Sequence, residues 1–176
     1  MYRTTSLLYL LLIWWVGTSY GADRLHFQRR IDDLTINGVI VSPKASEKEV
    51  LNQLGRPAKK EMKAVRNPYQ DFDDRLIFYK YPGLTVVFYQ FSHPNRGWTK
   101  LAQVCVTSDR WPLKEGLKVG IRSDAVANIL GPSHESSQVD GKLHWFYFPS
   151  DEEPHLQIIC VFEGGVLTEF VWSHMP

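Results

Sequence analysis

The sequence predicts an α+β protein of two tandem repeats, each a short helical segment packed on an antiparallel β-meander, with the two sheets side by side. Three observations predict it. A helix-ending phrase occurs twice: Val50-Leu51-Asn52-Gln53-Leu54-Gly55-Arg56-Pro57 and Val126-Ala127-Asn128-Ile129-Leu130-Gly131-Pro132 share Val, Asn, Leu and Gly in matching places. Aromatic, alternating runs of strand type follow each copy. The strands come in a row after each helix, which is the order of α+β rather than of βαβ units.

The elements are justified in chain order. Residues 1–21 read as a signal peptide: Arg3 is a small positive n-region, residues 7–16 are an apolar core, and Gly17-Thr18-Ser19-Tyr20-Gly21 supplies small residues for cleavage. The core is short for a bilayer span and a charged stretch follows it; an uncleaved anchor is the alternative. Residues 23–33 are charged and weakly periodic, a lead-in or a short helix. The first repeat is expected over residues 34–108. Asn37-Gly38 breaks a β-branched run as a tight turn. Ser46 and Glu49 fit a capping box, Val50, Leu51 and Leu54 give an apolar face, and Gly55 with Pro57 ends the helix. Residues 59–74 are polar, with a turn at Asn67-Pro68. Strands are expected at 76–81, 84–91 and 101–107, with a turn at Pro82-Gly83 and a loop at 92–99.

Residues 108–112 link to the second repeat, expected over 113–174. Gly116 and Gly120 mark turns. Ser123 is the expected N-cap, with Asp124 at the positive end of the helix dipole. Val126, Ile129 and Leu130 face inward. Strands are expected at 143–148, 155–162 and 166–172, the last two joined at Gly164-Gly165. A one-sided antiparallel sheet leaves its other face open.

Composition narrows the function. The formal charge is +1 over 176 residues, and loss of Arg3 with the signal brings it to roughly zero. Such a chain has no electrostatic footprint for nucleic acid and no polybasic patch for anionic lipid. Aromatic residues make up 13%, too many to be all core, so some are expected on a recognition surface. The two cysteines, Cys105 and Cys160, lie in apolar strand-like runs. In an oxidising compartment they are disulfide candidates; the alternative is two separate buried thiols.

The order Gly-x-x-x-Gly, short helix, Leu-Gly-x-Pro, Trp/Tyr strand and apolar strand with Phe resembles the β-lactamase-inhibitor-protein fold, a unit shared with the small envelope lipoproteins of the SmpA/OmlA type. The second copy carries it best, in Gly116-Leu117-Lys118-Val119-Gly120, residues 126–132, Trp145-Phe146-Tyr147 and residues 158–162. The first copy has Ser42 where a second Gly would stand. The resemblance implies tandem helix-plus-sheet units and, in the inhibitor, a sheet that clasps a secreted enzyme. The SmpA/OmlA type is usually one unit tethered by a lipidated Cys, which this sequence does not show. Exported immunity proteins share the size, the export signal and the lack of enzymatic motifs.

Catalytic signatures are absent from the sequence: no Gly-x-Ser-x-Gly elbow, phosphate-cradling Gly loop or His-Glu-x-x-His. His26, His93, His134, His144, His155 and His174 are scattered outside zinc-site spacing, and Asp71, Asp73 and Asp74 lack the rest of a calcium loop. No enzyme activity, metal or cofactor is expected. Partner-binding residues are expected in three places. Tyr79, Tyr81, Trp145 and Tyr147, joined by Tyr89 and His144, are assigned to the open sheet face; packing in the core is the alternative. Arg96 and Trp98 stand in a loop with residue types favoured at binding hot spots, although Trp98 can also fold back as a lid. Asp151 and Glu152 sit in a proline-bounded acidic loop suited to a basic cleft.

The expected function is that of a periplasmic or secreted non-enzymatic module of inhibitor or immunity type. Its partner is a protein, an enzyme or toxin, with no nucleic acid and no membrane insertion after signal cleavage. An envelope-assembly factor is the second reading and an unrecognised hydrolase the third.

Overall fold

The computed structural model describes residues 35–40, 42, 44–67, 71–92, 98–148 and 155–174. The signal segment, the 23–33 lead-in, Pro68, Arg96 and the acidic loop with Asp151 and Glu152 lie outside the described residues.

The described residues begin with a small hairpin, β1 (Thr35–Ile36) and β2 (Val39–Ile40), turning at Asn37-Gly38. Helix α1 (Glu47–Leu54) follows. Its capping box forms as read: the Ser46 hydroxyl accepts from the Glu49 N–H, and the Glu49 carboxylate accepts from the Ser46 N–H. Then come β3 (Lys59–Arg66), β4 (Asp73–Tyr81), β5 (Leu84–Gln90) and β6 (Thr99–Val106). A 3-10 turn (Lys114–Gly116) leads into α2 (Ser123–Leu130), and then β7 (Glu135–Val139), β8 (Lys142–Tyr147), β9 (Leu156–Glu163) and β10 (Val166–His174). Ser123 is the first residue of α2, not its cap; Arg122 holds the cap position and makes no side-chain capping bond.

The eight long strands form one antiparallel sheet in the order β3-β4-β5-β6-β10-β9-β8-β7. This corrects the expected class. Among the described residues, two eight-residue helices on a single continuous eight-stranded sheet make a mainly β protein, not an α+β pair of side-by-side sheets. The physical reason lies in β6 and β10. Both are apolar on each face through Val104-Cys105-Val106 and Phe170-Val171-Trp172, so neither serves as a solvated edge. They pair with each other, Val106 opposite Phe170 and Val104 opposite Trp172, and the sheet becomes continuous. The outer strands β3 and β7 are the polar ones, with mostly exposed side chains. Reading for apolar alternation passed over both, since an edge strand wet on both faces carries no such signal.

The core lies between one face of the sheet and the layer formed by α1, α2 and the small hairpin. Val50 of α1 and Val126 and Leu130 of α2 pack with Ile36 and Val39 against Ile77, Val86, Phe88, Val104, Ile158, Phe162, Phe170 and Trp172. Trp172 and Phe170 are central and fully buried. Burial of such side chains contributes about 1.5–3 kcal/mol each.

Candidate functional site

Strand alternation assigns each aromatic residue to a face. Tyr79 and Tyr81 share a face with Ile77, and Tyr147 and Trp145 share one with Leu143; all belong to the helix-covered core. Their placement on the open face is therefore corrected. The cause is the phenol oxygen, which needs a partner when buried. The Tyr81 hydroxyl donates to the Gly55 carbonyl at 3.0 Å, and the Tyr147 hydroxyl donates to the Gly131 carbonyl at 3.3 Å. These are the terminal glycines of the duplicated phrase, so each helix end is tied to the second strand after it. The Tyr79 hydroxyl donates to the Glu47 carboxylate, and the Lys60 ammonium lies 4.9 Å from the Tyr79 ring centre. Burial, reinforced by Glu47, raises the Tyr79 phenol above its ordinary value.

The opposite face has no described helix over it and contributes none of the core cluster. Cross-strand register orders its side chains. Lys80, Thr85, Cys105, Val171, Ile159 and Phe146 stand in one row from β4 to β8, with Lys59 and Glu135 at its ends. Phe78, Val87, Gln103, Ser173 and Gln157 form the next. Two apolar patches result. On one wing half-buried Leu76 and Phe78 flank buried Val87 and Tyr89; on the other half-buried Phe146 and Ile159 flank buried Val161 and Val171. Gln103, Cys105, Ser173 and Glu169 separate them. Ion pairs mark two corners: Glu61 bridges Lys59 at 2.6 Å and Lys80 at 2.7 Å, and Lys142 lies 3.6 Å from Glu163. Hydrogen bonds from the two lysines pull the Glu61 carboxyl down to about 2.

Of the expected binding residues, Tyr89, Trp98 and His144 are on this face. Tyr89 is spent internally: its hydroxyl donates to Asp74 at 2.6 Å, and burial followed by that bond pushes its phenol up to about 12. His144 is half-buried and stacks on Phe146 at 6.3 Å. Trp98 pairs through its carbonyl with the Phe91 N–H and is 65% exposed, so it does not close over the core. By alternation it shares the face of Lys100, whose ammonium sits 5.8 Å from the Phe91 ring centre. Leu76, Phe78, Phe146 and Ile159 were missed. The available signal was the alternation itself: these side chains oppose the tyrosines that need a helix-end carbonyl.

Cys105 and Cys160 are free thiols. Their positions explain why. Cys105 is opposite Val171 and Cys160 is opposite Phe170, so two strand intervals separate them and they point to opposite faces. The Cys105 thiol donates to Glu169 at 3.1 Å; burial and that contact push it up to about 12. Burial alone pushes Cys160 upward. Neither thiol is poised as a nucleophile. Among the described residues no group of three His, Cys, Asp or Glu side chains is placed to hold a metal, and no helix is long and apolar enough to cross a membrane.

The fold and this face define a mainly β protein with one sheet face covered by helices and one that no described helix covers. No protein-family model matches the chain, and no curated protein matches it. Among solved structures it is similar to an extracellular protein containing an SCP domain from Bacillus anthracis str. Ames, at 14% identity and a TM-score of 0.41, over 76% of this chain and 50% of that one. The chain thus spans half the length of that protein. It is also similar to the uncharacterized protein YfeY from Escherichia coli, at 10% identity and a TM-score of 0.43, over 80% of this chain and 97% of that one. Neither is described as a β-lactamase inhibitor or as a small lipoprotein of the SmpA/OmlA type.

Proposed function

We propose that the protein is an exported, non-enzymatic binding module of inhibitor or immunity type, which takes the surface of another protein, an enzyme or toxin, on its helix-free sheet face. One observation carries this reading: Leu76 and Phe78 on one wing and Phe146 and Ile159 on the other keep apolar area uncovered on a face that no described helix shields. Apolar patches rimmed by charged groups are the usual mark of protein interaction sites. The secretory pattern of residues 1–21 supports export. The thiols, both held protonated, support binding rather than covalent chemistry.

The test is capture from an envelope extract with wild-type protein and three variants. Phe78→Lys and Phe146→Lys are placed in the two patches, and Lys48→Glu is an exposed change on α1. Wild type and Lys48→Glu are expected to retain one stoichiometric protein. Each Phe variant, with its folding confirmed by urea titration, is expected to lose it. Equal capture by the Phe variants, or no stoichiometric partner for the folded wild type, refutes the proposal.

A further inference from the structure

The two edges of the sheet differ in a way that selects a partner. Edge strand β3 carries Lys59, Lys60, Lys63 and Arg66 against one acid, Glu61. Such a row of cations opposes pairing with another copy of itself. Edge strand β7, Glu-Ser-Ser-Gln-Val, has no lysine, arginine or proline, and all five side chains are exposed. Among the described residues no strand pairs with its outer side.

The β7–β8 hairpin determines which backbone groups of β7 are free. Its two turn residues, Asp140 and Gly141, have φ of 50° and 76°, and Val139 faces Lys142 across the turn. That two-residue turn makes Val139 and Lys142 a mutually hydrogen-bonded pair, and every second residue repeats it. Glu135, Ser137 and Val139 therefore direct their N–H and C=O toward β8, while Ser136 and Gln138 direct theirs outward.

We infer that β7 pairs antiparallel with β7 of a second copy of this chain, about a two-fold axis at Ser137, and joins the two sheets edge to edge. The register is self-complementary. Ser136 meets Gln138 of the other copy on both sides of the axis, and each pair exchanges N–H and C=O bonds. Glu135 falls opposite Val139 of the other copy, so no like charges face each other. At the axis the two Ser137 residues form a non-hydrogen-bonded pair, the closer of the two pair types, where small hydroxyl side chains fit and can bond. An isologous contact of this kind closes on itself as a dimer. The surface is a strand edge distinct from the face that no described helix covers, so this inference stands apart from the binding function proposed above.

Sedimentation of the mature chain tests it. A five-residue edge buries little area, so the wild type is expected to move from monomer to dimer mass only across roughly 10 µM to 1 mM. Ser137→Lys puts two ammonium groups face to face at the axis, and Ser137→Glu puts two carboxylates there. Each is expected to raise the dissociation constant about fivefold or more, and an equimolar mixture of the two is expected to recover dimer. Gln138→Pro deletes an outward N–H without touching the β7–β8 ladder and is expected to leave a monomer with an unchanged urea midpoint. A wild type that stays monomeric at about 1 mM overturns the inference. So does a Ser137→Lys chain that dimerises like wild type, or growth beyond the dimer, which would signify β3-to-β7 pairing.

Discussion

Asp74 supplies the sharpest test of the side-chain network at the open face. Its residue is fully buried and faces no cation among the described residues, yet its pKa lies below its ordinary value. Burial pulls its pKa upward. Three donors outweigh that: the Tyr89 hydroxyl at 2.6 Å, the Ser92 N–H at 2.8 Å and the Asn67 amide at 2.8 Å. The three tie the start of β4 to the end of β5, to the second residue beyond it and to the residue after β3. Asp74→Asn keeps the shape and removes the charge. Charge-assisted bonds contribute about 1.5–3 kcal/mol each and neutral ones about 1 kcal/mol. Asn offers one carbonyl oxygen where Asp74 has two, so at most the Tyr89 and Asn67 bonds persist, as neutral bonds, and the Ser92 N–H is left facing an amide NH2. The loss is about 3 kcal/mol or more, a fall in Tm of at least about 6–12 °C for a chain of this size. Urea titration reads the loss as a lower midpoint at constant slope. Tyr89→Phe breaks one of the three bonds, so the double variant is expected to show coupling of about 1 kcal/mol or more. The pH sign follows from the lowered carboxyl. Its contribution is complete above the unfolded value of about 4 and disappears as pH falls through the folded value. The gap between wild type and Asp74→Asn is therefore expected to close in acid. An Asp74→Asn chain within about 0.5 kcal/mol of wild type at neutral pH, or strict additivity with Tyr89→Phe, refutes the reasoning.

Three further outcomes are expected. Gly83→Ala should cost about 2–4 kcal/mol in urea titration, because the new Cβ lies 2.2 Å from the Ser108 Cβ at a residue whose φ is +76°; a loss under about 1 kcal/mol contradicts that packing. Tyr147→Phe should cost about 1–2 kcal/mol through the orphaned Gly131 carbonyl, and Tyr81→Phe a similar or smaller amount, with an unchanged midpoint in both arguing against the helix-end tie. Non-reduced, denatured protein should titrate two thiols, whereas native Cys105, pushed up to about 12, should react at pH 8 far more slowly than a free cysteine; absence of thiols in the denatured chain would disprove the opposite-face geometry.

Signals local in the chain were legible in the sequence. The Ser46–Glu49 capping box, the Asn37-Gly38 turn and six of the eight long strands follow from side chains within a few residues of one another. The edge strands β3 and β7 were not legible, because their residues are solvated on both faces and carry no period-two apolar signal. At the candidate site, the opposition of Phe78 to Tyr79 and of Phe146 to Tyr147 was legible, while the choice of buried face was not. Amphipathic tyrosines suit a surface as well as a core; what buried them was a carbonyl at the end of a helix 16 residues away for Tyr147 and 26 for Tyr81.

By itself, then, the sequence determined where helices start and stop, where the chain turns, and which side chains oppose each other along each strand. Those properties follow from backbone sterics, capping and period-two geometry. Only the tertiary structure decided that β6 and β10 join into one sheet, which face the helices cover, and that the two thiols lie on opposite sides. Each of those depends on pairings between residues distant in the chain, where the register of one strand against another sets the facing of every side chain at once.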